Sequence, residues 1–264
     1  MAKPLPTIFL SHGSPMLALD AGAAGQFWAK LGKALPRPKS VLVVSAHWNT
    51  REPAVNAVTV NETIHDFYNF PAPLYQISYP APGSPALAGR VAELLKGAGI
   101  PLAVDPARGL DHGAWVPLKN MYPGHDIPAA QLSVQPLKDA LWHQRLGRAL
   151  APLRDENVLI LATGGAVHNL GEIARDGGPV PDWARNFDDW LAKTLKDGDE
   201  QAFLDWNKSA PEPLRAQPTP EHFLPIFVAY GAAGVHPKAT QLYKGFTLGS
   251  MSMAAYEFGG ELAA

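Results

Sequence analysis

Cysteine is absent from this chain. Disulfides, thiolate metal sites and cysteine nucleophiles are therefore excluded, and any metal must be held by His, Asp or Glu. Charge is scarce as well: charged residues make up 17% and the formal net charge is -2. No basic run is present, so neither a nucleic-acid footprint nor an anionic-membrane footprint is expected. No uninterrupted apolar stretch reaches the roughly 18 residues of a membrane span. The opening Met1-Ala2-Lys3-Pro4-Leu5-Pro6 lacks the apolar segment of a signal peptide. A soluble cytoplasmic protein is the resulting expectation. Internal repeats and low-complexity linkers are missing too.

What the chain does have is enough apolar content to build a core: 47% of 264 residues. Strand-like runs alternate with helix-like runs, which predicts an α/β fold with a mostly parallel or mixed central sheet flanked by helices. Strands are expected at residues 7–10, 41–45, 102–104, 130–134 and 158–162, with a strand-like tail over 241–258. Helices are expected at 24–35, at 85–96 behind a Ser84 cap, at 137–153, at 182–197 and at 200–206. Another is expected from Thr219-Pro220 to near Gly231, with Glu221 and His222 in its first turn. The Pro-rich stretch 209–220 reads as a loop within one domain, because the segment after it is too short to fold alone. Residues 1–264 are thus expected to form a single domain. The long aromatic loop 60–82 is of the kind that covers a site.

Nine histidines are present, and they are not equivalent. His12, His47 and His168 each sit past a run that reads as a buried strand. The carboxyl ends of strands in an open α/β sheet form the ligand-binding edge. Side chains remote in sequence can converge there, and converging neutral imidazoles suit a borderline divalent metal. His12 lies in Ser11-His12-Gly13-Ser14-Pro15 and His47 in Ser45-Ala46-His47-Trp48; both read as metal ligands. His168, in Gly164-Gly165-Ala166-Val167-His168-Asn169, reads as a ligand or as a general base that trades a proton near neutral pH. Glu221 and His222 point about 100° apart on a helix, so one of them is the ligand; helix capping explains Glu221 well and His222 poorly, which favours His222. His112, in Leu110-Asp111-His112-Gly113-Ala114-Trp115, is read as oriented by Asp111 or as touching a substrate oxygen. His65, in His65-Asp66-Phe67-Tyr68-Asn69-Phe70-Pro71, is placed near substrate. His125, His143 and His236 are given no role.

Taken together, and in this order along almost the whole chain, these segments and Glu221-His222-Phe223-Leu224-Pro225 resemble the class III extradiol ring-cleavage dioxygenases, in the 4,5-DOPA dioxygenase-like branch. The resemblance implies a single α/β domain, a non-haem Fe(II) centre and cleavage of a catechol ring by O2 to a ring-opened semialdehyde. It implies His12, His47 and His222 as metal ligands. His168 becomes the acid/base histidine and a possible fourth ligand, and His112 a second catalytic histidine in contact with substrate or oxygen. His65, Tyr68 and Trp115 are the residues expected to line the substrate. Three neutral ligands also resemble a zinc site, so Zn(II) is an alternative occupant, native or acquired. The rival functions are a zinc-dependent hydrolase and a non-catalytic, metal-stabilised binding protein on the same fold. Expected partners are a small aromatic diol and O2. No motif encodes an oligomeric state, and a homo-oligomer is left open.

Overall fold

The computed structural model describes residues 3–174 and 177–262. Met1 and Ala2, which open the segment read above as leaderless, lie outside the described residues. Ten strands are described: β1 (Thr7–Ser11), β2 (Ser40–Asn49), β3 (Ala54–Asn56), β4 (Ala103–Asp105), β5 (Ala129–Val134), β6 (Val158–Gly164), β7 (Ala239–Tyr243), β8 (Phe246–Thr247), β9 (Met251–Ser252) and β10 (Ala255–Phe258). The helices are α1 (Gly22–Ala34), α2 (Pro85–Gly97), α3 (His112–Met121), α4 (Ala140–Leu150), α5 (Asp182–Asp197), three short pieces α6 (Glu200–Leu204), α7 (Trp206–Ser209) and α8 (Pro213–Ala216), and α9 (Leu224–Ala232).

Eight strands form one mixed sheet in the order β4-β3-β5-β2-β6-β1-β10-β7, and β8 and β9 form a separate two-stranded sheet. The centre, β5-β2-β6-β1, is parallel; β10 and β7 continue it antiparallel. Every residue of β1, β5 and β6 is buried, as parallel strands covered on both faces must be. The two-residue period then sorts their side chains. Phe9, Leu42, Val44 and Ile160 meet α2, α4, α5 and α9 in one apolar layer. Ile8, Leu10, Val41, Val43, Leu159 and Leu161 meet α1 and α3 in the other. Helix starts follow their side-chain caps: Ser84 accepts from the Leu87 N–H at 3.3 Å and Asp139 from the Trp142 N–H at 2.8 Å.

Several sequence expectations shift. His47 lies within β2 rather than past it, in a stretch where the register against β5 slips between Val44 and Asn49. Such irregularities re-aim a side chain without ending the strand. The helix expected from Thr219 begins only at Leu224, so Glu221 and His222 occupy the turn before it. Residues 137–153 yield a shorter helix followed by a 3-10 turn at Ala151–Arg154, and 200–206 breaks at Asp205. The tail divides into four strands. α3 and β3 were not anticipated. The register aligns Ser11 with Gly164 and Ser45 with Thr163, which brings His12, His47 and the turn carrying His168 to one sheet edge. Among the described residues, no helix is long and apolar enough to cross a membrane.

Candidate metal centre

His12 follows β1, and its backbone N–H donates to the Gly164 carbonyl at 3.0 Å. His222 arrives from the far end of the chain. Its carbonyl accepts from the Gly165 N–H at 2.8 Å. Only glycine permits that approach, because a Cβ at Gly164 would sit 2.0 Å from the His222 carbonyl oxygen. Gly113 serves α3 in the same way: a Cβ there would sit 2.5 Å from the Ser45 Oγ and 3.0 Å from the His47 ring.

The Nε2 atoms of these three histidines meet at one point. His47 Nε2 lies 2.9 Å from His12 Nε2 and 3.3 Å from His222 Nε2. The outer nitrogens of two rings face carboxylates: His222 Nδ1 is 3.2 Å from Glu221 Oε1, and His47 Nδ1 is 3.4 Å from Asp66 Oδ2. A carboxylate oxygen can only accept a hydrogen bond from a neighbouring ring nitrogen, so a carboxylate facing Nδ1 favours the Nδ1–H tautomer of both rings. Burial, followed by the neighbouring imidazoles, holds the pKa of His12 and His47 well below the ordinary value. Burial lowers that of His222 as well, against the pull of Glu221. The rings are therefore neutral at neutral pH, and in the Nδ1–H tautomer the Nε2 atoms of His47 and His222 direct their lone pairs at each other. Two facing acceptors repel unless a cation lies between them. Donors held about 2.1 Å from a common ion are about 3.0 Å apart at right angles and about 3.4 Å apart in a tetrahedron. The observed 2.9 and 3.3 Å lie within about 0.1 Å of those two spacings, so the donor set fits a divalent metal. Glu221 faces the outer nitrogen of His222, the position that a carboxylate takes behind a metal-binding histidine. Burial would raise the Glu221 carboxyl, but hydrogen bonds with His222 and Thr219 hold it at about 2.

His168 does not join the three donors. Its ring stacks on that of His222, with centroids 3.4 Å apart and planes 7° from parallel. Lone pairs in parallel planes do not meet at one point, so the arrangement places His168 beside the cluster of His12, His47 and His222. The turn that carries it is clamped. Gln217 donates to the carbonyls of Gly165 and Ala166 at 2.8 and 3.0 Å, and the His168 N–H donates to the Ala216 carbonyl at 2.9 Å. Burial, then the His222 ring, pushes the His168 pKa down to about 3, which leaves the ring neutral at neutral pH.

His112 opens α3, and its ring lies 3.9 Å from that of His47 and 5.3 Å from that of His12. Its partner is Asp66 rather than Asp111. Asp66 Oδ2 lies 2.9 Å from His112 Nδ1, and Oδ1 accepts from the His112 backbone N–H at 2.8 Å. Burial would raise the Asp66 carboxyl; the His112 hydrogen bonds outweigh it and hold it low. Asp111 instead accepts from Ser45 Oγ at 2.6 Å, from Arg108 at 3.1 Å and from the Gln131 amide. Sequence reasoning passed over Asp66, although it adjoins His65 in a segment already singled out.

The other candidates lie outside the cluster. His65 contacts the Ile77 carbonyl through Nε2 at 3.0 Å and packs beside Phe67, Tyr75 and Trp115. Trp115 is fully buried, and its Nε1 donates to the Ile64 carbonyl, so it stands behind the site wall. Tyr68 is 82% exposed.

Comparison with known proteins gives the family. The family described as the catalytic LigB subunit of aromatic ring-opening dioxygenase matches residues 6–259. The chain belongs to that family. It is similar to 4,5-DOPA dioxygenase extradiol of Beta vulgaris, 46% identical over 256 residues, with 96% of each chain covered. It is also similar to 4,5-DOPA dioxygenase extradiol of Escherichia coli K12, 43% identical over 261 residues, covering 97% of this chain and 95% of the other. A crystal structure of an uncharacterised Escherichia coli K12 protein matches with a TM-score of 0.80 and 39% identity, over 97% of this chain and 100% of that one.

Proposed function

We propose that this protein is an extradiol dioxygenase that opens a catechol-type ring with O2 to a semialdehyde, with residues 1–264 as one catalytic domain. Family membership supports the reaction class. The observation that carries the site assignment is the convergence of three histidine Nε2 atoms, that of His47 lying 2.9 Å from His12 Nε2 and 3.3 Å from His222 Nε2. In this reading His12, His47 and His222 hold iron(II). When bound, that ion supplies the redox chemistry that lets O2 react with a catechol, and it acidifies the catechol hydroxyls.

The remaining work falls to the chain. His168, neutral and fixed beside His222, accepts a proton from a substrate hydroxyl and later returns one to the opening ring. His112 turns Nδ1 to Asp66, which leaves Nε2 to accept a hydrogen bond from a substrate hydroxyl and to stand in contact with dioxygen. Tyr68 and His65 border the substrate from the loop 60–82, with Trp115 packed behind His65. The cysteine-free sequence accords with work in the cytoplasm.

The test is anaerobic loading with Fe(II), followed by air and a panel of catechols. A yellow ring-fission product is expected with at least one catechol; no turnover despite bound iron refutes the reading. His168→Ala is expected to keep the metal and lose most turnover. The three neutral donors favour one second reading, a zinc hydrolase using hydroxide near neutral pH. Ester or amide turnover with Zn(II), and none of catechols with Fe(II), would establish it instead.

A further inference from the structure

The loop 60–82 is cross-braced at every second residue. Asn61 donates to the Ala81 carbonyl through its backbone N–H at 3.0 Å and its side-chain amide at 3.3 Å. Thr63 Oγ1 accepts from the Tyr79 N–H at 2.7 Å. His65 Nε2 donates to the Ile77 carbonyl at 3.0 Å, and the Tyr75 hydroxyl donates to the Phe67 carbonyl at 3.4 Å. Odd-numbered residues thus face each other across two limbs. The even-numbered residues between them dock against the approach to α3. Leu110 N–H donates to the Glu62 carbonyl at 2.9 Å, Ile64 N–H donates to the Leu110 carbonyl at 2.8 Å, and Trp115 Nε1 donates to the Ile64 carbonyl at 3.0 Å. The next step of the same period is Asp66. Its Oδ1 accepts from the His112 backbone N–H at 2.8 Å, while its Oδ2 lies 2.9 Å from His112 Nδ1 and 3.4 Å from His47 Nδ1.

We propose that Asp66 is a positioning residue that sets His47 and His112 together. One carboxylate oxygen facing two Nδ1 atoms favours a proton on each. Both rings are then held as the Nδ1–H tautomer with Nε2 bare, that of His47 toward the ion and that of His112 toward the substrate. The braced loop fixes where the carboxylate stands, so order in the loop and competence of the centre are linked through this one side chain. A purely structural Asp66 would need only the backbone N–H of His112; the second oxygen, placed between two imidazoles, has no such use. The proposal rests on His12, His47 and His222 being the ion donors.

Two measurements test it, and neither needs catechol turnover. Long-range 1H–15N NMR of the ion-free protein at mildly alkaline pH should show His47 and His112 as Nδ1–H tautomers. An Nε2–H form of either ring overturns the proposal, and this holds for the unmutated chain whether or not variants fold. Asp66→Asn, confirmed as folded by circular dichroism, should weaken Co(II) binding by about 10-fold or more in chelator competition, with a mixed tautomer appearing at His112. Asp66→Glu, which keeps the charge, should retain more affinity than Asp66→Asn. Unchanged affinity and tautomers in Asp66→Asn, or equal loss in both variants, overturns the proposal. A protein that behaves as expected here yet opens no catechol would refute the dioxygenase reading and leave the role of Asp66 standing. A wild-type chain that binds no Co(II) would overturn the positioning role, because its ion donors would be gone.

Discussion

Gly164→Ala is the sharpest single perturbation of this centre, because it acts through backbone rather than through a donor. The new Cβ would lie 2.0 Å from the carbonyl oxygen of His222 and 3.0 Å from its carbonyl carbon. Ordinary contact is about 3.5 Å, so the two segments must part by about 1.5 Å. Neither partner is a side-chain tip that can rotate aside. The Gly165 N–H to His222 carbonyl bond, 2.8 Å long, would stretch or break. Overpacking of this kind costs about 1–3 kcal/mol and the lost hydrogen bond about 1 kcal/mol. The ion-free protein should therefore lose about 2–4 kcal/mol, a drop in Tm of about 5–15 °C for a domain of this size. Displacing His222 should also weaken metal binding by about 10-fold or more. Calorimetry of the ion-free form and chelator competition of the loaded form read the two effects separately. A variant with wild-type Tm and wild-type metal affinity would refute the account of how His222 is delivered to the site.

Glu221→Gln should cost about 10-fold in metal affinity with little change in the Tm of the ion-free protein, since Glu221 orients His222 from a partly exposed position; competition titration checks it. Asp111→Ala removes the carboxylate that Ser45, Gln131 and Arg108 share, and leaves the Arg108 guanidinium without its partner. A loss of about 3 kcal/mol is expected in urea denaturation. His143 is a buried histidine away from the centre: Nδ1 donates to the Asp139 carbonyl at 2.8 Å, and Nε2 accepts from the Gln135 N–H at 3.3 Å. Only the neutral ring can do both, and burial lowers its pKa from 6.5 to about 4. The unfolded chain thus binds that proton more tightly. The contribution to stability is complete above the unfolded value and is lost as pH falls toward the folded one, in total about 3 kcal/mol. Denaturation at a series of pH values should show this slope, and His143→Gln should flatten it.

The parallel centre of the sheet was legible because the runs at residues 7–10, 41–45 and 158–162 are apolar but for Thr7 and Ser45, as buried strands tend to be. His12 follows β1 as its strand-end position predicts, whereas His47 reaches the same edge from within β2, where the register slips. α3 was not legible: Gly113 and Pro117 interrupt its pattern, yet one glycine is needed for close packing on His47 and the helix tolerates the proline. The start of α9 was misplaced because Pro220 and Pro225 both signal a first helical turn. All nine residues of that helix are buried, so no amphipathic period was available to decide between them. The pairing of Asp66 with His112 joins side chains 46 positions apart; no local rule reaches that far, and the adjacent Asp111 offered a nearer, incorrect partner.

The strand order also bears on when the ion can enter. β6 lies between β1 and β2, and Thr7 is opposite Ile160. The edge that gathers the imidazoles therefore exists only after very remote parts of the chain have zipped together, which is slow compared with forming helices. A nascent or refolding polypeptide offers only scattered, weak imidazole sites. Tight capture of the ion consequently marks the finish of folding, and chelation strength during renaturation becomes a clock for closure of the sheet.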